Sequence, residues 1–187
     1  GMFIDCEYPM IATARLSGMM LDYPKLLDKG IGGLRSDLQE KLKEQPDNNF
    51  YKAGIQCLDI FVDCASHLQQ DARDQMASAD EKRQKELERI CQALENIKEK
   101  KPGTFHEAMQ LFWLFALLAG VINYGRLDDY LGPYLVADLE SGRLTDEEAY
   151  RYIHSLWTMI ENRRTTVNGR IIVGGKGRKH PKEADVF

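Results

Sequence analysis

The polar stretch NYGRLDD, residues 123–129, holds the side chains best suited to chemistry, and it directly follows a long apolar run. Asn123 can both donate and accept hydrogen bonds, which suits orientation of a substrate hydroxyl, carboxylate or amide. A buried Asn that ties the turn together is an equally good interpretation. Arg126 and Asp128 lie two residues apart, and a buried charge needs a partner. We therefore favour an ion pair or a backbone-fixing role for them over catalysis.

The cysteines and histidines show no pattern of a metal site or a nucleophile. The four cysteines, at positions 6, 57, 64 and 91, have no CxxC spacing and no companion histidines at ligand intervals. Cys57 and Cys64 share one helical face and are predicted to be small buried apolar groups. Free thiols indicate a reducing cytoplasm. His106 is predicted to be a structural hydrogen-bonding residue, and His67, His154 and His180 are isolated.

The composition is that of an ordinary globular chain. At 187 residues it fits one large domain or a fragment of a larger protein, with 43% hydrophobic and 29% charged residues. The net charge of −4 gives no reason to expect nucleic acid or an anionic membrane as a partner. The basic run Lys176–Lys182 is interpreted as a solvated loop. The start of the chain shows no signal-peptide pattern, and Gly1 before Met2 is typical of tag removal.

The helix that leads into the polar stretch begins at Thr104, where Thr104 and Glu107 form a capping-box pattern. From Met109 to Ile122 its only polar residue is Gln110. A helix that is apolar on every side should be buried on every side, and this run is shorter than the roughly 20 residues that span a bilayer. We expect the isolated chain to dimerise or to expose an apolar patch there.

The other elements are mainly helices, so the predicted fold class is mainly α, with at most one or two short strands near the C-terminus. A first helix opens near Pro24 and is interrupted, or closely approached by another backbone, at Gly30. Capping boxes at Ser78 and Thr145 each open a further helix. The remaining predictions are a helix over residues 50–78 and a helix over 130–139 that is interrupted or kinked at Gly132-Pro133. A helix after Thr145 is predicted to point Trp157 inward, and residues 170–173 are predicted to form a strand.

Six segments resemble, in order, segments of the glycyl radical enzymes: pyruvate formate-lyase, glycerol and diol dehydratases and their relatives. They read DYPKLLDKGIGGL, FYKAGIQCLDIF, TFHEAMQ, NYGRLDDYLGPY, DLESGRLTDEEA and NGRIIVGG, and they run from about Asp22 to Phe187. The resemblance implies the helical portion of an α/β barrel of ten strands. It also implies a glycyl radical that generates a thiyl radical on a cysteine, and a separate iron–sulfur radical-SAM activating enzyme that installs the glycyl radical. Such enzymes are cytoplasmic homodimers of anaerobes that act on small-molecule substrates.

The sequence departs from that family's catalytic pattern. It has no radical-loop motif of the RVxGY type, and none of its cysteines stands in the family's catalytic context. Residues 1–187 are therefore predicted to be one partial domain, helical over 22–163 and strand and loop over 168–187. We expect this N-terminal or middle portion to have no catalytic residue, bound cofactor or metal, and to be inactive alone. The motif Gly18-Met19 stands where dehydratases often have Gly-His, which argues against a glycerol-type site.

The resemblance also implies roles for the polar stretch. Asn123 and Tyr124 occupy the place from which the family presents side chains to the substrate, and are predicted to bind it. Gly125, Arg126 and Asp128 are predicted to form the structural turn. The competing hypothesis is a natural truncated paralogue that acts as a non-catalytic helical interaction protein. An unrelated helical scaffold or ligand-binding bundle is disfavoured by the ordered motifs.

Overall fold

A computed structural model of the chain describes residues 19–163 and 169–187. Cys6, Gly18 and Asn168 of the sequence predictions lie outside this part. In it the helices are α1 Tyr23–Glu44, α2 Asn49–Met76, α3 Glu81–Ile97, α4 Phe105–Leu118, α5 Leu127–Glu140, α6 Asp146–Asn162 and α7 Pro181–Val186. The strands are β1 Asn123–Arg126 and β2 Arg170–Ile172. The mainly α prediction is confirmed.

The chain divides into two compact units. One, the helical unit, is Tyr23–Phe115; the other, the sheet unit, is Gly1–Asp22 together with Ala116–Phe187. The single partial domain predicted from the sequence stays a prediction.

In the helical unit, α1 is kinked at Gly30, whose φ of 64° and ψ of 178° lie outside the helical region. A Cβ at Gly30 would stand 2.6 Å from the backbone nitrogen of Lys101. The Gly32 amide donates to the Glu99 carbonyl at 3.0 Å. Both expectations for this glycine-rich segment are therefore met, because the helix is interrupted and another backbone packs against it.

Helices α2 and α3 are joined by a buried polar contact between Gln69 and Cys91. The Gln69 amide donates to the Cys91 carbonyl at 2.9 Å, and the Cys91 thiol donates to the Gln69 carbonyl at 3.6 Å. The predicted Ser78 capping box is wrong. Asp80 caps α3 by accepting from the Arg83 amide, and the Ser78 hydroxyl instead donates to the Gln75 carbonyl. Both Ser and Asp are good N-caps, and here the later one starts the helix.

Helix α4 begins as predicted, with the Thr104 hydroxyl accepting from the Glu107 amide at 3.2 Å. It ends at Leu118, four residues before the predicted Ile122. Its body is largely buried, and the Phe112 ring meets Tyr23 edge-on at 5.0 Å between centroids. Leu117 and Leu118 are exposed, so the prediction of burial on every side is wrong at the helix end.

In the sheet unit, β1 and β2 form a parallel two-stranded sheet in which Asn123 pairs with Arg170. Met20 makes an isolated parallel bridge to Asn123. The sequence predicted β2 but not β1, which it treated as a turn. Helix α5 continues through Gly132 and Pro133 as one helix, so the predicted interruption there is wrong. Its Gly132 lies so close to α7 that an added Cβ would stand 2.8 Å from the Glu183 carbonyl group.

Helix α6 opens with the predicted capping box between Thr145 and Glu148, in which each side chain accepts from the other residue's backbone amide. Only Ala149 and Leu156 of this helix are buried. Trp157 is 40% exposed, so its predicted inward position is wrong. Its amphipathic sequence thus has an apolar face that the described residues leave largely open.

Candidate functional site

Asn123 is half-buried at the start of β1, and its side chain is oriented by its own turn. Its Oδ1 accepts from the Gly125 amide at 3.2 Å. Because a backbone N–H can only donate, the atom facing it must be the amide oxygen. The Nδ2 group therefore points the other way as a donor. Gly125 has a φ of 61°, which a residue with a Cβ adopts only at a cost.

Tyr124, the other predicted substrate-binding residue, is fully buried. Its hydroxyl accepts from Arg163 Nη1 at 2.8 Å, and the same nitrogen donates to the Val121 carbonyl at 2.7 Å. The Tyr130 hydroxyl donates to the Tyr124 carbonyl at 2.7 Å. A Cβ on Gly169 would lie 2.7 Å from the Tyr124 ring. Tyr124 is thus held at its backbone, ring and hydroxyl, and it supports Asn123 from within the unit.

Arg126 and Asp128 both bind the backbone of the loop that follows β2. Arg126 donates to the Gly174 carbonyl at 3.2 Å and to the Lys176 carbonyl at 2.9 Å. Asp128 is fully buried and accepts from the Gly174 amide at 2.7 Å and from the Asp129 amide at 2.9 Å. Arg178, with its nearest nitrogen 3.9 Å from Asp128 Oδ2, supplies the facing positive charge. The contacts are those of backbone fixing.

Asp129 binds the far end of the same loop. It accepts from the Lys179 amide at 3.1 Å and from the His180 amide at 2.7 Å. Burial opposes ionisation, but these two backbone donors outweigh it, so the pKa of Asp129 lies below its ordinary value. Residues 126–129 therefore hold residues 174–180 at both ends. Within this basic loop, predicted to be solvated, Lys176 and Lys179 are exposed, whereas Arg178 is largely buried and paired with Asp185 at 2.6 Å.

Several of these residues were not identified from the sequence. Asp129 and Tyr130 stand in the segment NYGRLDDYLGPY but were given no role there, and Arg163 and Arg178 stand in none of the quoted segments. The partners of these four residues lie up to 51 residues away in the chain. Asp129 offered the only signal, since it stands beside Asp128 in the first turn of a helix, where carboxylates are favoured.

The remaining titratable residues form no second site in the described ranges. No group of three or more His, Cys, Asp or Glu side chains there could hold a metal ion. His106 Nε2 lies 3.3 Å from Gln110 Nε2, and burial lowers the pKa of this imidazole. Cys91 is buried, but Cys57 is exposed, so its predicted burial is wrong. No helix in the described part is long and apolar enough to cross a membrane.

Comparison with known proteins identifies the family. The sequence profile of the pyruvate formate lyase-like proteins matches residues 6–181. The chain belongs to this family. Its similar relatives and solved structures include glycyl radical enzymes, as the ordered segments predicted.

Two curated members of the family illustrate the relation. A probable dehydratase, YbiW, of Escherichia coli K12 is 28% identical over 86% of this chain and 23% of its own length. Isethionate sulfite-lyase of Bilophila wadsworthia is 30% identical over 73% of this chain and 18% of its own length. The chain thus spans about a fifth of the length of the relatives it matches.

Solved structures of the family share the fold. A glycyl radical enzyme from Archaeoglobus fulgidus is 26% identical, with a TM-score of 0.67 over 75% of this chain and 20% of that one. Hydroxyproline dehydratase from Clostridioides difficile, at 22% identity and a TM-score of 0.65, covers 84% of this chain and 22% of that one, and shows likeness of fold alone. The helical portion of this fold is therefore present here.

Proposed function

We propose that this chain is a segment of a glycyl radical lyase or dehydratase, and that residues 123–129 form one wall of its substrate site. The observation that carries the proposal is the clamped turn, in which the half-buried Asn123 is oriented by the Gly125 amide and backed by the buried Tyr124. The named reactions of its relatives, on isethionate and on trans-4-hydroxy-L-proline, favour a small polar substrate.

Within that wall, each residue has a separate task. Asn123 contacts the substrate, and Tyr124 fixes the strand behind it through Arg163 and Tyr130. Gly125 allows the tight turn, while Arg126 and Asp128 hold the following loop in place. None of these side chains is assigned a step of bond breaking.

The radical chemistry is assigned to groups outside this chain. The family reaction uses a glycyl radical and a thiyl cysteine, and none of Cys6, Cys57, Cys64 and Cys91 stands in the sequence context of that cysteine. Of the three described cysteines, Cys91 binds the Gln69 backbone inside the helical unit. The chain alone is therefore inactive. The complete enzyme is a cytoplasmic homodimer of an anaerobe, activated by a radical-SAM enzyme that installs the glycyl radical.

The test is electron paramagnetic resonance after anaerobic incubation with a glycyl-radical activating enzyme. The complete polypeptide encoded by the reading frame that contains this chain should give a glycyl signal, and the 187-residue chain should give none. A glycyl signal from this chain alone would refute the assignment of the radical to another segment.

The alternative is a truncated paralogue that acts as a non-catalytic helical interaction protein. The feature that favours it is the open apolar face of α6, where Tyr150 is 69% and Trp157 40% exposed. The reading frame separates the two proposals. Continuation into a cysteine loop and a terminal glycine motif supports the enzyme, and a stop codon directly after Phe187 supports the paralogue.

A further inference from the structure

Helix α2 has a second apolar face besides the one that enters the core of the helical unit. The core face holds Leu58, Phe61 and Ala65. The second face, the α2 stripe, consists of Phe50, Ala53, Cys57, Ile60, Cys64 and Leu68. At 3.6 residues per turn these positions fall within about 80° of the helix circumference. The stripe therefore has the spacing with which one helix packs against another.

The α2 stripe is open to solvent along most of its length. Phe50 is 77%, Ile60 is 59% and Leu68 is 42% exposed, and the small residues between them are exposed or half-buried. These three are the exposed large hydrophobic residues of the helical unit among its described residues, and all lie on this one face. Scattered apolar side chains are normal on a protein surface, but an aligned set marks an interaction site.

Large and small side chains are distributed about Cys57 so that the stripe is complementary to itself. With a twofold axis at Cys57 and a second helix running antiparallel, Phe50 meets the partner's Cys64 and Ile60 meets the partner's Ala53. Bulky groups then face small ones, which close helix packing requires. A parallel copy would instead set the bulky residues against each other.

The charges beside the stripe have the same symmetry. Lys52 and Asp63 lie on one flank of it. The Asp63 carboxylate makes no ion pair or hydrogen bond with another residue of the described ranges, whereas Asp59 is bound to Arg35. Lys52 Nζ is 3.9 Å from the exposed Asp47, which is a weak contact. In the antiparallel pair Lys52 lies across from the partner's Asp63, and this contact occurs twice.

We propose that the α2 stripe is an interface between two copies of this chain, which pair antiparallel about a twofold axis at Cys57. A symmetric contact of this kind uses the same surface on both copies. The flank carries both signs of charge in an order that a reversed copy matches, and a partner of one charge sign would match only half of it. The proposal deepens the homodimer of the proposed function, on which it rests for the second copy, by assigning the contact surface.

The first test is sedimentation velocity of the reduced 187-residue chain over a range of concentrations. The chain should form a dimer that dissociates on dilution. Ile60→Asp should raise the dissociation constant about 100-fold or more, because each dimer carries the substitution twice. The matched control is Tyr150→Asp, at an exposed apolar position of α6, which should change it less than about threefold. A monomer at every concentration, or equal effects of the two variants, would overturn the proposal.

The second test reverses the charges on the flank. Lys52→Glu should weaken the dimer about tenfold, since it replaces two attractions by two repulsions. Adding Asp63→Lys to this variant should restore the affinity to within about threefold of the original. Lys43→Glu, at an exposed position of α1, is the control for net charge and should have little effect. Failure of the double variant to recover would rule out the antiparallel arrangement.

The third test is cross-linking at the proposed axis. A chain that keeps Cys57 and carries Cys6→Ser and Cys64→Ser should be joined to its copy by a short bismaleimide, and further substitution of Cys57→Ser should abolish the product. The complete polypeptide should give the same cross-link. Its absence there would mean that another segment covers the stripe, which would overturn the proposal. None of these measurements needs a radical, so their failure is distinct from a missing glycyl signal.

Discussion

The helical unit and the sheet unit differ in how completely they cover their apolar side chains. Thirteen large hydrophobic residues are exposed in the described part of the chain, and ten of them belong to the sheet unit. These ten are Met19, Met20, Leu117, Leu118, Tyr150, Trp157, Met159, Ile172, Val173 and Val186. The helical unit exposes only Phe50, Ile60 and Leu68 among its described residues, so most of the exposed apolar side chains belong to the sheet unit.

The two units also differ in the kind of contact that holds these loop segments in place. In the helical unit, backbone meets backbone at Gly30 and Gly32. In the sheet unit, the charged side chains of Arg126, Asp128 and Asp129 bind a loop about 50 residues away. Because only a few charged hydrogen bonds hold this loop, removal of one charged side chain should measurably destabilise the sheet unit.

The largest expected effect is that of Asp128→Ala. The substitution leaves the Gly174 and Asp129 amides without their acceptor and removes the negative charge that faces Arg178. We expect a loss of about 3 kcal/mol in the free energy of unfolding of the sheet unit. Hydrogen exchange should show lost protection over residues 170–186 and little change in the helical unit.

The matched control is Asp71→Ala, which removes an exposed carboxylate of α2. It should change stability by less than about 0.5 kcal/mol. Equal urea midpoints for the two variants would show that the loop is not held by Asp128.

A smaller loss is expected from Gly30→Ala in the helical unit. Alanine at this position must adopt the positive φ of Gly30, and its Cβ would collide with the Lys101 backbone. Together the two effects cost roughly 2–3 kcal/mol. Gly142→Ala shares the positive φ, but its Cβ meets nothing within 4 Å, so about 1 kcal/mol is expected. Chemical denaturation of both variants checks the difference. Equal costs would mean that the close approach at Gly30 is easily relieved.

A pH-dependent effect is expected from His106 in the helical unit. Burial lowers its pKa, so the folded imidazole stays neutral where the unfolded one, with a pKa near 6.5, already binds a proton. This contribution to stability is present above about pH 6.5 and is lost as the pH falls through the folded value.

His106→Gln should remove that part of the pH dependence, as measured by thermal unfolding between pH 7.5 and 5. His67→Gln, at an exposed position of α2, is the control. If the dependence of the unfolding temperature on pH is unchanged in the His106 variant, another titrating group is responsible for it.

The smallest effect on stability is expected where the apolar surface is open. The double substitution Leu117→Gln and Leu118→Gln should change the free energy of unfolding by about 0.5 kcal/mol or less, since both side chains are exposed. It should, however, lower the binding of a hydrophobic dye and any self-association seen by light scattering. Leu114→Gln, at a buried position of the same helix, should instead destabilise the chain by about 2–5 kcal/mol.

The helices could be predicted because their signals are local. The apolar spacing and the Thr104 and Thr145 caps lie within a few residues of the bonds they predict. The errors at Ser78 and Ile122 concern helix ends, where two caps compete or where an apolar run outlasts its helix. Strand β1 was missed because its four residues, one of them a glycine, are too few to show the alternating apolar and polar pattern of a strand. Its pairing partners also lie far away in the chain.

The position of the candidate site could be predicted from the sequence, but the contacts and burial of its side chains could not. The polar residues after an apolar helix indicated the turn at Asn123, and the family resemblance supplied its predicted role. Which side chain faces outward depends on contacts with Arg163 and Gly169, about 40 residues later. No spacing rule connects such distant residues, so the burial of Tyr124 could only come from the fold.

The division of the chain also bears on the order in which it folds during synthesis. The helical unit is one continuous stretch, whereas the sheet unit joins the first residues to those after Ala116. Met20 bridges to Asn123, and Asn123 pairs with Arg170, so residues 150 positions apart must come together. Such distant pairing is slow. On the ribosome the helical unit can therefore complete its contacts first. Until Asn123 has been synthesised, Met20 lacks its bridge partner, so the sheet unit is the later of the two to complete its contacts.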